Sequence, residues 1–369
     1  MKRFLCLLFA MIFVLAACSQ DAPVVEPSPV DTPPVVQKVT LPAVDTTPKE
    51  EEPTGPVNPL TGLIDGIEES KTMRKPVAIM INNLKQSLPQ CGISKADIIY
   101  EMLAEGRISR FLAIFQDSSD VGRIGTVRSS RPYYIDVAMA YNAIYMHFGA
   151  SELAYNQLSK NRIVWLDGIR GGWEGSLYYR DAERRKKNGL EHSVFTTGER
   201  IEEALSKLKS PIDLDEPVRP FNFDKDHSAK AGTAVSEVKV PYSSYISPSF
   251  IYDGETGLFN RFQFGEPHMD AEYDAQVAVK NLFILKMKTA NIKNSSLGWI
   301  TIDTTGKGDG YYVCDGKYIP ISWSRDDTDD MFKYTVSDGS ELKVCPGNTF
   351  ICVAPTSTEI EFDGTAEKN

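Results

Sequence analysis

Three arginines fall within nine residues in the stretch RIGTVRSSR, Arg123 to Arg131, and two serines separate the last pair. Guanidinium groups this close repel one another unless something negative lies between them. Arg128, Ser129, Ser130 and Arg131 combine forked cationic donors with hydroxyls, a set suited to phosphate or carboxylate. Pro132 follows, and PYYIDVAMAY reads as a helix with Ser130 as its N-cap. A helix start adds unpaired N–H groups and partial positive charge. The segment therefore predicts an anion site. The competing expectation is internal neutralisation, with Glu101 and Glu105 near Arg107 and Arg110 in the chain. The two are compatible where an Arg–Glu lattice frames a pocket.

Other residues join this set. Arg110 lies on one of two strands flanking the break at Glu105-Gly106, and Asn82 ends the apolar run PVAIMIN. His147, in MHFGAS, follows a strand and precedes a helix, and ligands gather at the carboxyl ends of strands in open α/β sheets. His192 follows the basic stretch RDAERRKKNG, read as a loop, and is either a second imidazole in the same cleft or a surface residue. A catalytic reading pairs His147 with Glu101 as a wall-active hydrolase or transferase, with Ser129 or Ser151 as nucleophile. No G-x-S-x-G elbow accompanies it. Nor is there an HExxH, a P-loop or a dinucleotide fingerprint. His268 and Asp270 share one face of an extended segment, as two metal ligands would. No cofactor and no committed metal site are expected.

The N-terminus predicts where this chemistry takes place. MKRFLCLLFAMIFVLAACSQ has two cations and an apolar run too short to span a bilayer. LAAC then presents Cys18 for diacylglycerol. Residues 1–17 read as a lipoprotein signal and Cys18 as the lipid anchor, placing the chain on the outer face of the cytoplasmic membrane. Residues 18–57 read as a disordered stalk: Asp21 to Val57 holds nine prolines, seven acids and two lysines. Extended, it would reach ~100 Å. The net charge of −10 and the absence of a basic tract argue against nucleic acid. A cell-wall polymer or cell-wall enzyme is the partner that such a tether brings within reach.

Four cysteines remain beyond the anchor: Cys91, Cys314, Cys345 and Cys352. Cys314 with either of the last two would make a disulfide, and sequence does not choose. Their spacing matches no usual zinc pattern.

These residues must be positioned by about 310 residues of two grammars. Residues 58–212 interleave strand and helix patterns and predict a mixed α/β domain. TGERIEEALSKL and SELAYNQL are its clearest amphipathic helices. Residues 213–358 turn to β, with hairpins at Asp253-Gly254, Asp315-Gly316 and Asp338-Gly339. They predict a mostly antiparallel domain, and residues 359–369 a polar tail. The fold class is α+β.

The motifs NPLTGL, RKPVAIMINN, PQCGISKADIIYEMLAEGRISRFLAIFQ and IGTVRSSRPYYIDVA resemble the N-terminal domain of the YerB-like lipoproteins, DUF3048. GEPHMD, VAVKNLFIL, GKGDGYYVCDGKYIPISW and PGNTFICVAP resemble its C-terminal domain. Cys91 and Thr126 depart from the family pattern. The resemblance implies a two-domain envelope lipoprotein of Gram-positive type, and no reaction. The expectation is a non-catalytic binding or scaffold protein that recognises an anionic ligand or a partner protein.

Overall fold

Several strands of this chain are apolar along their whole length, which requires cover on both faces of the sheet they enter. The computed structural model describes residues 54–367 and shows that cover. The signal, Cys18 and almost all of the proline-rich segment lie outside the described residues. In chain order, the elements used below begin with β1 (Val77–Asn82), β2 (Ile98–Leu103), β3 (Ser109–Phe115), β4 (Arg123–Gly125), α1 (Pro132–Ala140) and β5 (Ile144–His147). Next come α2 (Glu152–Leu158), β6 (Trp165–Asp167), α3 (Ala182–Asn188), β7 (Val194–Thr197) and α4 (Gly198–Ser206). The later strands are β8 (Glu237–Lys239), β9 (Ser249–Asp253), β10 (Leu258–Gln263), β11 (Asn281–Met287), β12 (Gly306–Cys314) and β13 (Lys317–Arg325). β14 (Thr349–Pro355), β15 (Ile360–Phe362) and β16 (Thr365–Glu367) complete them.

The main sheet has eleven strands, and its central order is β13, β12, β11, β14, β2, β3, β1, β5, β6. β1, β2, β3 and β11 are buried at every position. Alternate residues serve opposite faces. Ala78, Met80, Tyr100, Met102 and Leu112 pack with Tyr133, Tyr134 and Val137 of α1 and Ala154 and Leu158 of α2. Ile79, Ile81, Ile99, Phe111 and Ala113 pack on the other face, with Ile201 and Leu205 of α4 and Val238, Phe250, Phe259 and Ile360. Those last four residues belong to a second, seven-stranded antiparallel sheet built on β10, β9, β8, β15 and β16. The molecule is therefore layered, helices on one face of the main sheet and chiefly a second sheet on the other, and the α+β class describes it coarsely.

Several expected elements form as the sequence suggested. β2 and β3 pair antiparallel across a short turn at Glu105–Arg107, and α4 is capped by Thr197, which accepts from Arg200 N at 3.3 Å. The Asp315-Gly316 turn joins β12 to β13, with positive φ of 50° and 66°, as a two-residue hairpin loop requires.

Other expectations need correction. The N-cap of α1 is Arg131, not Ser130, and it makes no side-chain cap bond. RDAERRKKNG is helix α3, not loop, because Asp181 caps it by accepting from Arg184 N at 2.7 Å. Much of the stretch read as a polar tail is strand: β15 pairs with β8, burying Ile360 and Phe362, and β16 pairs back onto β15. β14 breaks the antiparallel expectation for residues 213–358, lying parallel to both β11 and β2. Through it, strands from both sides of residue 212 share one sheet.

Candidate functional site

β1, β5 and β6 run parallel, so Asn82, His147 and Asp167 end on one side of the sheet. The segment Val127–Arg131 crosses that edge. Arg128 N donates to Met80 O at 2.9 Å, Phe148 N to Arg128 O at 3.1 Å, and Ser130 N to Gly149 O at 2.9 Å. Backbone pairing thus fixes the serines and arginines at the strand ends.

Arg110 stands on β3 directly opposite Asn82 in register, and its guanidinium is buried. Its Nη1 donates to Ser129 O at 2.6 Å and Ser129 Oγ at 3.2 Å, and its Nη2 to Glu105 Oε1 at 2.5 Å. Arg131 grips the same carboxylate: Nε donates to Glu105 Oε2 at 2.8 Å and Nη2 to Oε1. Its Nη1 reaches Ser130 O at 2.6 Å and Ser129 Oγ at 3.3 Å. Burial alone would raise the Glu105 carboxyl, but Arg110 and Arg131 outweigh it and hold the group below its usual range. Burial, with Arg131 and Arg128 alongside, pushes Arg110 down to about 10 even with Glu105 attached. It is still a cation at neutral pH.

Arg128 turns outward. Its Nη2 meets Glu191 Oε2 at 2.6 Å, and Glu191 is 67% exposed. Beside them His192 Nδ1 accepts from Asn82 Nδ2 at 3.0 Å. Burial, then Arg128, lower the His192 pKa, so the ring is neutral. Arg110 Nε and Arg128 Nε have no hydrogen-bond partner among the described residues. The expected pairing with Glu105 is present. Three guanidiniums are nonetheless set against two carboxylates, one of them at the surface.

His147 is elsewhere in character. It is fully buried, its Nδ1 donates to Gly149 O at 2.9 Å, and its ring stacks on Trp165 at 5.8 Å. Asp167, 3.5 Å away, is occupied by Gly149 N, Ile169 N, Arg170 N and the Tyr155 hydroxyl. Burial lowers the His147 pKa despite Asp167. Glu101 accepts instead from Ser109 Oγ at 2.6 Å, Asn83 Nδ2 at 3.0 Å and Arg261 Nη2 at 2.8 Å. The structure does not bring His147 and Glu101 together as a catalytic pair. Ser151 Oγ caps α2 by accepting from Ala154 N, and Ser129 Oγ accepts from Arg110 Nη1 and Arg131 Nη1, so neither candidate nucleophile is paired with His147.

A sealed polar network, unforeseen in the sequence, surrounds Glu101. Arg261 Nη1 donates to Gln263 Oε1 and to His268 Nδ1, the latter at 2.7 Å, and His268 Nε2 donates to Gln90 Oε1 at 2.7 Å. Gln263 and Gln90 both donate to Asn83 Oδ1, at 2.8 and 3.3 Å. The guanidinium also lies over Phe111 and Phe350, at 5.1 and 5.2 Å from the ring centroids. Burial and Arg261 hold His268 well below its ordinary pKa. Both its nitrogens are engaged. Asp270 is likewise occupied, accepting from Gly92 N at 3.0 Å, Ser94 N at 2.9 Å and Ser94 Oγ at 2.7 Å. His268 and Asp270 are therefore not a metal pair. The signal for the network was the alternation in LFNRFQ, which puts Arg261 and Gln263 on the inward face with Phe259.

Family models match in two places: "Protein of unknown function (DUF3048) N-terminal domain" over residues 60–211 and the DUF3048 C-terminal domain over 238–351. A Bacillus subtilis (strain 168) protein named "Putative lipoprotein YerB" is 32% identical over 300 residues, 80% of this chain and 86% of that protein. The chain belongs to the DUF3048 family. A crystal structure of the YerB protein from Bacillus subtilis is similar with a TM-score of 0.72 and 29% identity, covering 83% of this chain and all of that one. The DUF3048 fold thus extends across both halves of the sheet described above. A relative that carries a lipoprotein name fits a membrane-anchored location.

Proposed function

We propose that this DUF3048 protein is a tethered, non-catalytic binding protein of the cell envelope, with an anionic group as its ligand. The outer face of the cytoplasmic membrane, with acylation at Cys18, is its place of work. One observation carries the reading: Arg110 and Arg131 divide a single carboxylate, while the counter-charge of Arg128 is largely in solvent. A phosphate or carboxylate arriving at Arg128 would displace or join Glu191 and meet a net positive field. Arg131 would extend the contact with a second planar fork, and Asn82 and His192 line the approach. Buried Arg110 fixes Ser129 from beneath. A charged wall polymer or the acidic face of a wall enzyme carries the matching chemistry.

The test is calorimetric titration of the purified chain with inorganic phosphate and with a muropeptide, alongside melting curves. The expected result is a ligand-dependent rise in Tm that Arg128→Ala and Arg131→Ala each abolish while circular dichroism stays native. Absence of any such rise in the wild-type chain, or its persistence in both variants, would refute the reading. Against the hydrolase alternative stands the partnering of its two residues: Glu101 is held by Ser109, Asn83 and Arg261, and the carboxylate beside His147 is Asp167.

A further inference from the structure

The fold gathers His227, Cys314, Asp315 and Cys345 so that one ligand atom from each lies within 4.8 Å of all the others. No sequence spacing suggested it, since His227 precedes Cys314 by 87 residues. We propose that these four side chains are a metal site, of the class that takes zinc or a similar thiophilic divalent cation.

The donor set supports that class. Two thiolates, an imidazole and a carboxylate make four donors, all of types that zinc binds and enough for a tetrahedral site. His227 Nε2 lies 2.9 Å from Asp315 Oδ2 and 4.0 Å from Cys314 Sγ, spacings that a central ion would bridge. The ring is almost fully buried and its Nδ1 has no partner among the described residues; in the bond to Asp315 Oδ2 it is Nε2 that carries the proton, which an arriving cation would displace.

Each ligand is held by the surrounding structure. Cys314 ends β12 and Asp315 opens the tight turn to β13, where the backbone is fixed by hairpin register. Cys345 is pinned through its backbone, N donating to Tyr312 Oη at 2.9 Å and O accepting from Asn281 Nδ2 at 2.8 Å. Two thiolates and a carboxylate around a divalent ion leave one negative charge. Lys280, whose ammonium contacts Asp315 Oδ1, supplies the balancing positive one. Asp315, 36% exposed, and half-buried Cys345 leave the ion a way in from solvent. The bound ion would tie three separate segments of the chain together.

A Cys314–Cys345 disulfide is the rival, and it would leave His227 bonded to Asp315 and Asp315 to Lys280. The experiment is titration of the reduced full chain with cobalt(II) followed by displacement with zinc. The expected result is saturation at one equivalent, with thiolate-to-cobalt charge-transfer absorption and the strong visible bands of a tetrahedral site. Cys345→Ser and Asp315→Asn should each weaken binding by more than ~100-fold, beyond the usual loss from a merely supporting group. Zinc should also shield Cys345 of the wild-type chain from alkylation, a readout independent of whether the variants fold. A reduced wild-type chain that gives no charge-transfer band, or whose Cys345 alkylates equally fast with zinc present, overturns the site.

Discussion

Glu105 is the residue on which the arginine cluster balances. It neutralises one of the two guanidiniums it touches, and its depressed pKa has a definite sign. A carboxyl whose folded pKa lies below its unfolded value of ~4.3 contributes stability above that value and loses it as pH falls through the folded value. Wild type should therefore show an acid limb of stability below about pH 4 that Glu105→Gln flattens. At neutral pH the variant should be less stable by ~2 kcal/mol, less than for a fully sealed pair because Glu105 is partly exposed. Urea denaturation at several pH values measures both. Phosphate should restore more stability to this variant than to wild type, since it then replaces the missing charge. No effect of phosphate on either protein would mark the cluster as purely structural.

At the level of elements, β10 is where the second sheet reaches into the first. Its inward residues bring a charged arginine against Glu101 on β2 with neither group touching solvent. Replacing Arg261 with Met leaves a buried carboxylate without its partner, at a cost of roughly 3–5 kcal/mol. Replacing Glu101 with Leu as well should recover much of that loss, because no lone charge remains. Urea midpoints of the two single variants and the double variant form the cycle, and simple additivity would mean the pair is uncoupled. The sequence foretold many of these elements and few of their pairings. Apolar runs identified β1, β2 and β3, and Asp315-Gly316 identified the β12–β13 turn. α3 was missed because AERRKKN has no apolar face; its cap at Asp181 was the readable signal. The arginine cluster was legible because its members are neighbours in the chain. The Glu101 network and the His227 cluster were not, because each depends on strand order that TFICVAP, buried at nearly every position, does not encode.

The whole molecule is set by where β14 inserts. Ile98 to Met102 pair in parallel with Thr349 to Val353, so a strand from the far end of the chain completes the neighbourhood of β2. The family models nonetheless divide the sequence in two, at 60–211 and 238–351. These facts lead to a prediction about cutting the chain near residue 212. A fragment spanning 54–212 would keep α1, α2 and the arginine cluster but expose the full edge of β2, a hydrophobic strand with unpaired backbone groups. It would also retain Glu101 without Arg261. Expressed alone, it should be aggregated or show no cooperative unfolding transition. Co-expression with 213–369 should return a soluble complex with a single transition, because β14 and β10 are then supplied in trans. A 54–212 fragment that unfolds cooperatively by itself would mean that the β2–β14 seam joins two autonomous domains, and that the arginine cluster is held by the first of them alone.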